Sequence, residues 1–169
     1  MFKKFSFLLL SLAVLLTACG NAKNPVAGFR KLTSKDFDCY VNIYSENGEI
    51  LFGGVLEKNT GYTFTAELPS GISGTVFKFE NGSLTESIGD FTLTLDSDAA
   101  KKISDVANAF EALASEDKPC ISEEKLYSSE CYAAKTDFGD VYISPIGVPM
   151  MIKNEIITAE ITGFNGKDR

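Results

Sequence analysis

Thiols and carboxylates are the reactive groups this sequence offers, because it contains four Cys and 23 Asp and Glu but no His. Lacking His, the chain lacks the usual general base near neutral pH, the usual partner of a Ser or Cys nucleophile and the commonest transition-metal ligand. Most hydrolase and metalloenzyme chemistries are thereby excluded. No catalytic residue and no metal set is expected. Of Asp36, Asp38, Glu46, Glu49, Glu67, Asp90, Asp96 and Asp98, several fall at turns or in the solvent-facing parity of strands, without the D-x-D-x-D-G loop of a calcium site. They read as solvated surface. Cys39 shares the parity of Phe37, Val41 and Ile43, the position of a buried small hydrophobe, and no His could activate it. No C-x-x-C spacing exists, so zinc and thioredoxin-type chemistry have no support. Cys120 and Cys131 either close a short loop worth roughly 3 kcal/mol or stay reduced with Cys39.

The fourth thiol has a different setting. Lys3 and Lys4 precede an almost unbroken apolar run from Phe5 to Leu16, and the small residues Thr17 and Ala18 lead into Cys19. Such a run is short of the roughly 20 residues that span a bilayer core of about 30 Å. Leu16-Thr17-Ala18-Cys19 resembles the lipobox of bacterial lipoprotein signal peptides. That resemblance implies cleavage before Cys19, a diacylglyceryl group on its thiol, further acylation of the palmitate type, and a domain held on the extracytoplasmic side of a membrane. No other cofactor is expected.

Residues 1–18 therefore read as a signal peptide, 19–35 as the lipidated Cys with a flexible tether, and 36–169 as one domain. The tether assignment rests on the small, polar composition from Gly20 to Gly28. The remaining chain of about 150 residues suffices for a single core. Loss of two Lys moves the net charge from −7 to about −9. An acidic surface repels phosphate backbones and anionic headgroups, so nucleic acid is not an expected partner and membrane contact falls to the lipid.

Positioning elements follow from periodicity. Apolar residues alternate through Phe37–Tyr44, Tyr62–Leu68 and Thr75–Phe79, and Glu49–Lys58, Ser83–Ile88 and Phe91–Leu95 read as further strands, separated by Gly- and Asn-rich turns. Gly53-Gly54 inside the second run reads as a bulge or bend. The period then becomes helical: Ser97-Asp98 offers a start, and Ile103, Val106, Phe110 and Leu113 form one stripe ending at Ser115, with Lys101, Lys102, Asp105, Asn108 and Glu111 on the wet side. Glu116–Ser122 reads as a connection. Leu126–Thr136, Asp140–Ser144, Val148–Lys153 and Glu155–Phe164 read as four final strands. The whole predicts a mainly β (α+β) meander of about nine to ten antiparallel strands with one inserted amphipathic helix.

Gly61–Pro69 within its run of strands, the helix Asp98–Ser115 and the late hairpin from Val141 to Ile156 together resemble the small LolA/LolB-like lipoproteins. The resemblance implies a curved, unclosed half-barrel packed over helices, and a non-enzymatic carrier or binder of lipid or another apolar ligand. Gly28–Thr33 leaves room for barely a turn where larger members of that family have a substantial N-terminal helix. Phe52, Tyr62, Phe64, Phe77, Phe79 and Phe91, with Phe110 on the helix, are the candidate lining of an apolar site. The alternative is that the helix fills the concave face, leaving an interaction lipoprotein of the cell envelope that acts through its surface on another envelope protein.

Overall fold

The computed structural model describes residues 24–80, 83–88, 91–94 and 98–167. Eleven strands form one sheet: β1 (Phe37–Ser45), β2 (Ile50–Lys58), β3 (Tyr62–Leu68), β4 (Val76–Glu80), β5 (Ser83–Ile88), β6 (Phe91–Thr94), β7 (Ile121–Leu126), β8 (Ser129–Thr136), β9 (Gly139–Ile143), β10 (Pro149–Lys153) and β11 (Ile157–Gly166). Among the described residues two helices accompany them, α1 (Pro25–Thr33) and α2 (Asp98–Ser115). The sheet order is β6-β5-β4-β3-β2-β1-β11-β10-β9-β8-β7, so β1 and β11 pair at the centre and β6 and β7 are free edges. All neighbours are antiparallel. The expected mainly β, unclosed half-barrel is what forms.

Period-two patterning does most of this. In β1 the residues Phe37, Cys39, Val41 and Ile43 are buried while Asp38, Tyr40, Asn42 and Tyr44 are not, and β3 buries Tyr62, Phe64 and Ala66 in the same way. The register between β2 and β3 slips at Gly53/Gly54, where the sequence places a bulge.

Three expectations are corrected. The strand count is eleven because Ile121–Leu126 pairs with β8, where the sequence reading has a connection running to Ser122 and a single strand Leu126–Thr136. As an edge strand with residues 121–125 exposed, β7 has no alternation to read. Its turn is also disguised, since Tyr127 and Ser128 take φ of 49° and 70° in place of the usual Asn and Gly.

Residues 25–33 are not tether. They form α1, a second helix, where the sequence reading leaves barely a turn. Asn24 caps it through its side chain to the Ala27 amide at 3.0 Å, and Pro25 occupies the first turn. Val26, Phe29 and Thr33 fall on one buried face. At the other end the Lys58 ammonium donates to the Thr33 carbonyl at 2.6 Å, placing a cation where helix carbonyls lack partners. Gly28, which lends the segment its tether-like composition, has a packing role: a Cβ there would lie 2.4 Å from the Ile146 carbonyl oxygen. Small residues here mark a close approach of two backbones.

The third correction is on α2, which spans the expected residues. Beyond the stripe of Ile103, Val106, Phe110 and Leu113 it also buries Ala107, Ala109 and Asp105. The helix packs against α1 as well as against β8 and β9, so its buried face is wider than one stripe. Asp105, expected on the wet side, is 8% exposed and accepts a hydrogen bond from the Asn154 side chain at 3.4 Å.

Candidate functional site on the concave face

Cross-strand register defines one continuous inward row. Cys39 lies opposite Leu56, Leu56 opposite Phe64, Phe64 opposite Phe77, and Tyr62 opposite Phe79, which in turn faces Leu84. Phe52 is paired with Ile43 on the same face. Among the candidate lining residues, Tyr62, Phe64, Phe77 and Phe110 are buried, and Phe52 and Phe79 are half-buried against the core. Phe91 sits in β6 opposite Ile88; its side chain, like Cys19 and the segment 1–23, lies outside the described residues.

Ring contacts divide these residues into two groups. Phe110 is fully buried, stacks on Phe29 of α1 at 5.7 Å and on Tyr62 at 6.4 Å, and lies edge-on to Phe37 at 5.8 Å. Phe164 closes that group against Phe37. Phe77 makes the second group, 6.4 Å from Phe52 and 6.2 Å from Phe64. Among the described residues no ring contact joins the two. α2 lies closest to β8, β9 and α1, so the helices concentrate on one side of the half-barrel and the Phe52–Phe64–Phe77 strip lies on the other. At the seam between them, Gly61, Tyr62, Phe79 and Glu80 face Asn108 and Glu111 of α2 across a cleft of about 530 Å³.

Two titratable groups are buried on this face. Burial, reinforced by Asp38, pushes the Cys39 thiol up to about 12. Burial and then Glu111 push the Tyr62 phenol up as well. Both stay protonated at neutral pH, so neither is a nucleophile as placed. Cys39, Cys120 and Cys131 are all free thiols, with Cys39 and Cys131 buried and Cys120 exposed; of the two alternatives for Cys120 and Cys131, the reduced one is present.

A second cleft, of about 830 Å³, lies at one end of the sheet between α2 and the turns β8–β9 and β10–β11. Charges of both signs line it, among them Lys101, Asp105, Asp137, Asp140 and Lys153. Burial raises the Asp105 carboxyl, while Lys101 and the Asn154 hydrogen bond lower it. Asn154 also bonds the Phe138 carbonyl and accepts from the Ile156 and Ile157 amides. The cluster ties α2 to two turns. Sequence reasoning missed it, because a polar pair 49 residues apart leaves no periodic signal.

Of the carboxylates read as solvated, Glu46, Glu49 and Glu67 are exposed and Asp36 is half-buried. Asp38 pairs with Lys167 at 3.1 Å, and Lys167 also reaches Glu57 at 3.0 Å. Such part-exposed pairs contribute little stability. Asp90, Asp96 and the side chain of Asp98 lie outside the described residues. Among the described residues no three His, Cys, Asp or Glu cluster as a metal set, and no helix is long and apolar enough to cross a membrane.

A solved structure shares this architecture. An uncharacterized conserved protein from Thermus thermophilus superposes with a TM-score of 0.54 at 8% identity, with 88% of each chain covered. The likeness is one of fold. A LolA superfamily protein from Nitrosomonas europaea gives 0.48 at 8% identity over 88% of this chain and 94% of that one. The lipoprotein LppX from Mycobacterium tuberculosis gives 0.40 at 10% over 87% and 96%. No protein-family model and no curated protein matches the chain. The unclosed half-barrel over helices that the LolA-like resemblance implies is the fold observed.

Proposed function

We propose that this is a non-enzymatic bacterial lipoprotein, held at the extracytoplasmic face of a membrane by a diacylglyceryl group on Cys19, whose half-barrel binds an apolar, acyl-type ligand. The observation that carries the reading is the division of the aromatics. One group fills the space under the helices, while Phe52, Phe64 and Phe77 form a strip on the concave face, with Phe52 half-buried there and Phe79 half-buried at the seam with α2. Apolar surface with few polar groups suits an acyl chain, whose recognition requires area rather than hydrogen bonds. Buried, protonated Cys39 and Tyr62 support a non-enzymatic role.

Binding of a fluorescent fatty acid to the native chain and to the double variant Phe52→Ala/Phe79→Ala tests the site. Removing two half-buried rings from the contact should weaken binding about tenfold or more, at roughly 1.4 kcal/mol per factor of ten. Equal binding in both, or none in either, would remove the ligand site. A filled-core interaction lipoprotein is the second reading, favoured by the complete burial of Phe110. It predicts no probe binding at all.

A further inference from the structure

We infer that the end of the half-barrel formed by the start of α1 and the β9–β10 turn lies against the lipid surface, with Ile146 in contact with the bilayer. This rests on the reading that Cys19 carries the anchor. Cys19 and Asn24 are five peptide steps apart, so the first described residue can be no more than about 18 Å from the anchored position. α1 starts there, and it is fixed to the β9–β10 turn backbone to backbone: a Cβ on Gly147 would lie 2.1 Å from the Phe29 amide nitrogen and 2.6 Å from the Pro25 carbonyl oxygen. The short tether therefore delivers this particular turn to the membrane.

The turn's chemistry fits that neighbour. Ile146 is 63% exposed, the most exposed large aliphatic side chain among the described residues. No charged residue occurs in Asn24–Phe29 or in Ser144–Pro149, in a protein that is strongly acidic overall. Acids lie at both ends: Asp36 and Glu130 stand near the starts of β1 and β8, and Asp137, Asp140 and Glu155 at the opposite end sit beside Lys101 and Lys153. Glu46 and Glu49 in the β1–β2 turn, Asp137 and Asp140 around the β8–β9 turn, and Glu155 in the β10–β11 turn all lie at the far ends of strands whose near ends adjoin the β9–β10 turn or α1. The uncharged segments Asn24–Phe29 and Ser144–Pro149 themselves bring no carboxylate against anionic headgroups.

The chain contains no Trp, so a single introduced indole reports its own surroundings. Full-length lipidated protein carrying Ile146→Trp, and separately Ile156→Trp at the opposite end of β10, would be reconstituted on phosphatidylethanolamine/phosphatidylglycerol vesicles with brominated acyl chains. Flotation reports the anchor and quenching reports the docking. The inference expects both proteins to float, with a blue shift and loss of most emission for Ile146→Trp and neither change for Ile156→Trp. Flotation with no quenching of Ile146→Trp, or with equal quenching of both, overturns the docking and leaves the anchor intact. Failure to float overturns the anchor and the docking with it.

Discussion

Replacing Phe110 with alanine should destabilise the protein by about 3–5 kcal/mol, the range for truncating a buried aromatic ring. Phe110 has no exposed surface and touches three rings from three different elements, Phe29 of α1, Phe37 of β1 and Tyr62 of β3. Its removal therefore opens a void bounded by groups that cannot all collapse into it: two belong to hydrogen-bonded strands and the third to a helix pinned by Lys58 and by Gly28. Aromatic pairs contribute beyond their buried area, which places the loss high in the range. Urea unfolding followed by circular dichroism measures it. A loss below about 0.5 kcal/mol, the ordinary effect of a surface substitution, would show that α2 is not seated on the sheet as described. The result also bears on the ligand site, because a large stability loss with unchanged fatty-acid binding places the site away from Phe110, on the Phe52–Phe77 strip.

A second large effect is expected at Gly147, where Gly147→Ala should cost roughly 3 kcal/mol from two causes that add. Gly147 has φ of 90°, a left-handed conformation unfavourable for any residue with a Cβ, and the added methyl would overlap the α1 backbone at Phe29 and Gly28. Backbone atoms on both sides cannot swing away as a side-chain tip could. Either the turn re-forms or α1 lifts, and lifting α1 exposes Val26 and Phe29. Gly71→Ala is the matched control: its added Cβ meets nothing within 4 Å, so its effect should stay within about 0.5 kcal/mol. Equal, small effects at both positions would mean that α1 does not dock on the β9–β10 turn, and the route from Cys19 to Ile146 would be lost.

The legible parts of the sequence are those where one face is wet and the other dry. β1 and β3 alternate cleanly because each covers a core with one face, and α2 is visible through the spacing of Ile103, Val106, Phe110 and Leu113. β7 is illegible because both its faces are wet, and α1 because Gly28 and Ala27 look like linker while serving a tight helix-to-turn contact. Asp105 shows the same limit at a single residue. Its helical position points to solvent, but the curvature of the sheet brings Asn154 over it. At the candidate site, parity places Tyr62, Phe64, Phe77 and Phe79 on one face of the sheet, as their register confirms. Parity cannot say which of them the helices cover. That depends on where α2 crosses the sheet, a long-range property that fixes Tyr62 under Phe110 and leaves Phe52 and Phe77 to each other.

The central claim is that the concave face takes an apolar ligand, and native mass spectrometry of the protein from its own host tests it most directly. The domain would be purified without added lipid and released from its anchor by cleavage after Cys19. The account predicts a non-covalent adduct of lipid mass on the native chain that is lost from the Phe52→Ala/Phe79→Ala variant. A bare chain in the native protein, together with no uptake of fatty acid, would contradict it.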